Sequence, residues 1–139
     1  MNYDKNSIKK EWLDGKLDHE FIDWAEDFGK YLAEERSGKR GTELTTNQLR
    51  KFFGAVKRQQ TKGYNATEFA FLRPQLAYSV AKAKNKEGKI HDFFHVMAGG
   101  IERVTNADRF KNFIKIFEAI VAYHKAAEES NLELSNEKH

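Results

Sequence analysis

Apolar residues return every three or four positions along nearly the whole chain, which is the period of one face of an α-helix, and no run alternates as a strand would. Phe21, Trp24, Ala25, Phe28 and Leu32 draw the first clear stripe, over residues 18–36, with Asp18 placed to cap it and acidic residues on its other faces. The stretch SGKRGTE, residues 37–43, has glycines and no apolar side chain, so an exposed, mobile and basic connection is expected there. The next helix start is marked more fully. With Thr45 as N-cap, Gln48 falls at the third helical position for a capping box, and Leu44 and Leu49 stand where a hydrophobic staple needs them. Leu49, Phe52, Phe53 and Val56 then form its buried stripe.

Residues 66–84 carry Phe69, Leu72, Leu76, Ala77 and Val80 at helical spacing, but Pro74 lies among them. Proline suits a first helical turn and costs about 3 kcal/mol in an interior, so either a helix begins near Pro74 or a long one kinks, and a break is the expectation. From about residue 90 a narrow stripe of Phe93, Phe94, Met97, Ile101 and Val104 predicts a fourth helix, in which Gly99 and Gly100 mark a kink or a close helix contact. The longest pattern, residues 106–128, buries Phe110, Phe113, Ile114, Phe117, Ile120 and Val121 and takes Thr105 or Asn106 as its cap. The architecture predicted is all-α, a compact bundle of about five helices in one domain over residues 1–128, with a frayed tail at 129–139.

A length of 139 residues agrees with one domain, and 40% apolar content with eleven Phe can fill its core. The absence of Cys excludes disulfides, a thiol nucleophile and thiolate-ligated zinc. No apolar run approaches bilayer-spanning length and the N-terminus lacks an apolar signal-like region, so a soluble, unprocessed, cytoplasmic protein with no membrane partner is expected.

Charge is the more informative quantity. Residues 1–38 carry six Lys/Arg against ten Asp/Glu, residues 39–86 eleven against two, and residues 87–139 seven against nine. A segment this basic attracts a polyanion, whereas an ordinary solvated surface mixes both signs. At 100° per residue, Arg50, Lys51, Lys57, Arg58 and Lys62 fall on the side of the second helix opposite its apolar stripe, with Lys39 and Arg40 before them and Lys82, Lys84 and Lys86 beyond. Gly54 lies on that cationic side, where a missing side chain would let a phosphate chain approach. Of the nearby aromatics, Tyr64 could stack on a base and Tyr78 could belong to the core. Contacts of this kind go to phosphate and 2′-hydroxyl groups and carry little sequence preference. A helix-turn-helix entering a DNA groove is a rival mode, but no cluster of Asn, Gln or Arg marks a recognition turn.

Catalytic signals are poor by comparison. His91 and His95 at i and i+4 around Asp92 could share a metal, yet the acid is one methylene shorter than the Glu of the zinc-hydrolase motif, and His19, His124 and His139 supply no recognisable third-ligand spacing. Phosphate-binding loops and nucleophile elbows are absent. Neither a metal nor another cofactor is expected, and the chain reads as no enzyme.

Three strings, in order, resemble a known family: Leu44-Thr45-Thr46-Asn47-Gln48-Leu49-Arg50-Lys51, then Leu72-Arg73-Pro74-Gln75-Leu76-Ala77-Tyr78, then Arg109-Phe110 followed by Phe117-Glu118-Ala119-Ile120-Val121-Ala122-Tyr123. Over about residues 40–126 the chain is similar to the small subunit of type III-A CRISPR effector complexes, the Csm small subunit. That resemblance implies a cofactor-free bundle of about five helices that stacks in several copies along the channel where guide RNA pairs with target RNA, while other Csm subunits cleave. It implies RNA contacts at Arg50, Lys51, Arg73 and Lys82. Where family members often continue the second string as A-G-R, this chain has Val80-Ala81-Lys82, which keeps a charge and loses bidentate phosphate geometry. The expected function is therefore a non-catalytic, RNA-binding subunit in antiviral defence. Two alternatives stay open: a structural self-assembly protein whose basic band meets the acidic first helix of the next copy, and a metal-dependent nuclease or phosphohydrolase using His91, Asp92 and His95.

Overall fold

The computed structural model describes residues 3–35, 39–83 and 88–137, with side chains described to residue 130. Ser37, Gly38, Lys84 and Lys86 therefore lie outside the described residues. The order is α1 Lys10–Leu13, α2 His19–Ala33, α3 Thr46–Lys62, α4 Ala66–Ala70, α5 Leu72–Lys82, α6 Ile90–Arg103 and α7 Ala107–Glu137, and the all-α class expected from the helical period is the one observed. The five predicted helices are α2, α3, α5, α6 and α7; α1 and α4 are single short additions. None of the helices among the described residues is long and apolar enough to cross a membrane.

Local signals act where the sequence places them. The Phe21 N–H donates to Asp18 Oδ1 at 3.2 Å, and the Arg109 N–H donates to Asn106 Oδ1 at 2.8 Å, so Asn106 and not Thr105 caps α7. Both halves of the Thr45/Gln48 capping box form, and Leu44 and Leu49 are buried. The break before Pro74 occurs at Phe71, which leaves the proline in the first turn of α5, where its missing N–H costs nothing. Helix α7 differs from expectation by running on to Glu137 instead of ending near residue 128.

Helices α2 and α7 run side by side in the same direction: Gly15 meets Asn112 at one end, and Gly29 meets Tyr123 further along. A Cβ on Gly29 would lie 2.7 Å from Tyr123 Cβ, so this glycine sets the interhelical distance. Helix α3 crosses back antiparallel to α7, with Phe52 and Phe53 packing in tilted contacts against Phe117 at 5.6 and 4.9 Å between ring centroids. Phe69, Phe110 and Phe113 close the other end through edge-to-face contacts, each worth about 0.5–1.5 kcal/mol beyond its buried area.

The segment preceding α2, which carries no periodic apolar pattern, packs into the core. Ile8, Trp12 and Leu13 are buried, at an i, i+4, i+5 spacing too short to stand out as a periodic pattern. Gly99 and Gly100 belong to this contact and not to a kink, since α6 is continuous through them. A Cβ on Gly99 would overlap the Lys5 carbonyl, and one on Gly100 would lie 2.9 Å from Ile8 Cδ1. Arg103 reinforces the docking by donating to the Lys5 carbonyl at 3.0 Å. Gly99→Ala should accordingly lower stability by about 1–3 kcal/mol, the usual cost of overpacking, because backbone and not a flexible side chain occupies the space. Urea denaturation checks this, and an unchanged midpoint would show that the N-terminal segment is not docked there.

Candidate nucleic-acid interface

The main chain of residues 42–44 is held from several sides, and this fixes how α3 presents its cations. The Leu44 N–H donates to the Leu32 carbonyl of α2 at 2.8 Å, and the Lys89 N–H donates to the Thr42 carbonyl at 2.7 Å. His124 of α7, 1% exposed, approaches the Leu44 carbonyl with Nε2 at 2.7 Å; a carbonyl can only accept, so Nε2 carries the proton. The Thr46 hydroxyl donates to Glu128 at 2.5 Å, bringing a carboxylate to the first turn of α3, which has no acid of its own, at the positive end of its dipole.

From that anchor Leu49, Phe52 and Val56 point inward, and the cationic arc turns out between α7 on one edge and α5 on the other. Lys51, Arg58 and Lys62 form the α5-facing edge. Lys51 shares a groove of about 400 Å³ with Tyr78, Ser79 and Lys82 of α5. Arg58 and Lys62 share a neighbouring groove of about 520 Å³ with Phe71 and Gln75, where Glu68 is the opposing carboxylate. These cations are exposed, and neither they nor Arg50 make an ion pair among the described residues.

The remaining candidates are disposed differently. Lys57 turns toward α7, where its ammonium is 3.1 Å from Glu118. Arg73 projects from the opposite side of α5 and stands 3.6 Å from Glu102 of α6, so it is separated from the α3 cations by the body of its own helix. Both pairs are about half exposed, a setting in which ion pairs contribute little and exchange readily. Lys39 and Arg40 are exposed on the connection ahead of the anchored residues. Gly54 lies beneath the Arg58 guanidinium, 3.7 Å from where a Cβ would stand, so the approach to its backbone is partly covered.

The aromatics exchange the parts expected of them. Tyr64 packs on Phe69 and Phe110, while Tyr78 is 63% exposed with the Lys82 ammonium 5.1 Å from its ring centre. Phe71, which carried no sequence signal beyond its place beside a helix start, is 60% exposed. His91 and His95 are exposed, and Asp92 accepts a hydrogen bond from the Tyr31 hydroxyl. No group of three or more potential metal ligands forms among the described residues.

An all-helical body with an exposed cationic face on α3 defines the class as a small helical protein of uneven surface charge. The family comparison makes that class specific: the model for Csm2 Type III-A matches residues 16–130, and the chain belongs to that family, a structural subunit of the Csm effector complex that assembles with other Csm subunits. No curated protein matches the chain.

Gly54→Ala should raise the unfolding free energy by about 0.5–1 kcal/mol, because the added methyl makes ordinary contact and removes the helix penalty of glycine. A fall in the urea midpoint would mean that this face is less open than the geometry makes it.

Proposed function

We propose that the α5-facing cations of α3, Lys51, Arg58 and Lys62, together with Lys82, grip the sugar-phosphate backbone of guide or target RNA inside the Csm complex, with Arg50, Lys39 and Arg40 extending the contact. The subunit does no bond-breaking of its own, and base pairing between the strands supplies sequence choice. One observation carries this reading: exposed ammonium and guanidinium groups of two antiparallel helices converge on adjoining grooves and are not neutralised by ion pairs among the described residues. Lys57 and Arg73 stand outside the grip because carboxylates of neighbouring helices face them.

Several copies stack in the assembly, and charge segregation supports that arrangement: Asp23, Asp27 and Glu34 are exposed on or just beyond α2, remote in sequence from the basic band they would meet on the next copy. A single copy offers few phosphate contacts, so the isolated chain binds weakly and gains strength from neighbours through effective concentration.

With about four to six phosphates neutralised, log affinity for a single strand should fall with log salt at a slope of roughly −3 to −4. Replacing Lys51 and Arg58 together by Glu should abolish RNA retention with helicity intact, whereas Arg73→Gln should change binding by less than about twofold, as expected of a solvated pair. Fluorescence anisotropy over a salt series measures both. A flat salt response would exclude the backbone grip, and self-association without any RNA binding would leave stacking as the function of the charged faces.

A further inference from the structure

The apolar face that α5 needs for the core is complete without two of its aromatics. Leu72, Leu76 and Val80 are buried at i, i+4 and i+8, while Phe71 and Tyr78 are 60% and 63% exposed. Seven residues separate them, which is two helical turns, so both rings lie on one side of the helix, roughly 10 Å apart. Gln75 and Lys82 continue the same stripe at i+4 and i+11, and all of these side chains are exposed.

The stripe is matched across the groove. Lys51 and Arg58 of α3 are also seven residues apart, and because α3 and α5 run antiparallel, each aromatic faces its own cations. Phe71 shares one groove with Arg58 and Lys62, and Tyr78 shares the other with Lys51 and Lys82. The result is the same small unit twice along one track: an exposed ring with positive charge beside it, the Lys82 ammonium standing over one face of Tyr78 and leaving the other face for a base.

We propose that this track takes an unpaired RNA strand, with bases stacked on Phe71 and Tyr78 and phosphates held by Lys51, Arg58, Lys62 and Lys82. The inference rests on the backbone grip described above and adds that the bases of the bound segment are turned toward the protein. Every base offers a π-face to a ring, so such contacts hold a strand without reading its sequence, and stacking platforms set within a cationic groove are the usual means of binding single strands. A duplex cannot use the rings, because its bases are stacked on one another inside the helix and only edges and backbone reach its surface. The spacing of the rings is about three times the 3.4 Å rise of a stacked strand, which places the engaged bases about three nucleotides apart. A protein partner fits the surface less well. The two rings are not contiguous, Gln75 lies between them, and covering the grooves with an apolar surface would bury four ammonium and guanidinium groups with Glu68 as the one carboxylate lining them.

The test compares three ligands with the full chain: a fluorescent uridine-rich 12-mer, the same 12-mer in a duplex, and a ribose-phosphate 12-mer without bases. Phe71→Leu with Tyr78→Leu keeps apolar bulk and removes the stacking faces, and circular dichroism verifies that the bundle is intact. The expected result is about tenfold or greater weakening of the base-bearing single strand, with an unchanged salt slope and no effect on the strand without bases. Unchanged affinity for the base-bearing strand, or equal losses on the strand with and without bases, overturns the stacking. Tighter binding of the duplex than of the single strand overturns it as well. If the double variant binds the base-bearing strand with unchanged affinity and an unchanged salt slope, the backbone grip stands and the stacking alone fails; if no ligand binds with salt dependence, both fail. Loss of co-purification with other Csm subunits at unchanged RNA affinity identifies the stripe as a protein interface and overturns the proposal.

Discussion

The attachment of residues 42–44 is the constraint on which the functional face depends. Helix α3 could pack its apolar stripe against the bundle over a range of rotations, because burial of Leu49, Phe52 and Val56 is proportional to area and largely indifferent to direction. Hydrogen bonds are not indifferent. Leu32 of α2, Lys89 at the start of α6 and His124 of α7 each engage a specific main-chain group just ahead of the helix, and the capping box then continues that geometry into its first turn. Once the entry point and direction are fixed, the outward bearing of Lys51, Arg58 and Lys62 follows from the 100° step of the helix.

Two of the residues responsible have buried polar side chains. His124 is 1% exposed and Lys89 is 5% exposed, with its ammonium 3.3 Å from the centre of the Tyr31 ring. A buried cation against an aromatic face keeps part of the stabilisation it loses on leaving water. Tyr31 in turn donates to Asp92, so the acid of the His91-Asp92-Phe93-Phe94-His95 string serves the junction of α2 and α6. The pattern that suggested a metal site is thereby divided: its acid faces inward to a tyrosine and its histidines face solvent.

Glycine has two separate uses in the molecule. At Gly29 and Gly99 it lets backbones approach more closely than any Cβ permits, joining α2 to α7 and the N-terminal segment to α6. At Gly54 no neighbour requires it, since the nearest atom to a built Cβ is the end of the Arg58 side chain. Gly99 is legible in the sequence as a kink or a close contact, but Gly29 carries no signal of its own, since nothing local distinguishes a packing glycine from a surface one.

The chain by itself determined the longer elements: that the segments of α2, α3, α5, α6 and α7 are helical, where α2 and α3 begin, and that α3 has an apolar side opposite a basic one. These follow from periodicity and capping, which act within a few residues and are therefore visible in one dimension. The family resemblance carried by the strings at residues 44–51 and 72–78 was legible in the same way. Tertiary structure decided which cations share a surface. Lys57 and Arg73 satisfy the same helical and compositional criteria as Lys51 and Lys82, but Glu118 and Glu102 reach them from helices distant in sequence. It likewise packed Tyr64, partly buried, against the core and exposed Tyr78 and Phe71, because the exposure of a residue at the edge of a stripe depends on whether another helix lies beside it. Long-range neighbours of this kind leave no local mark, since the side chains that meet are chosen by the crossing of helices and not by spacing along the chain.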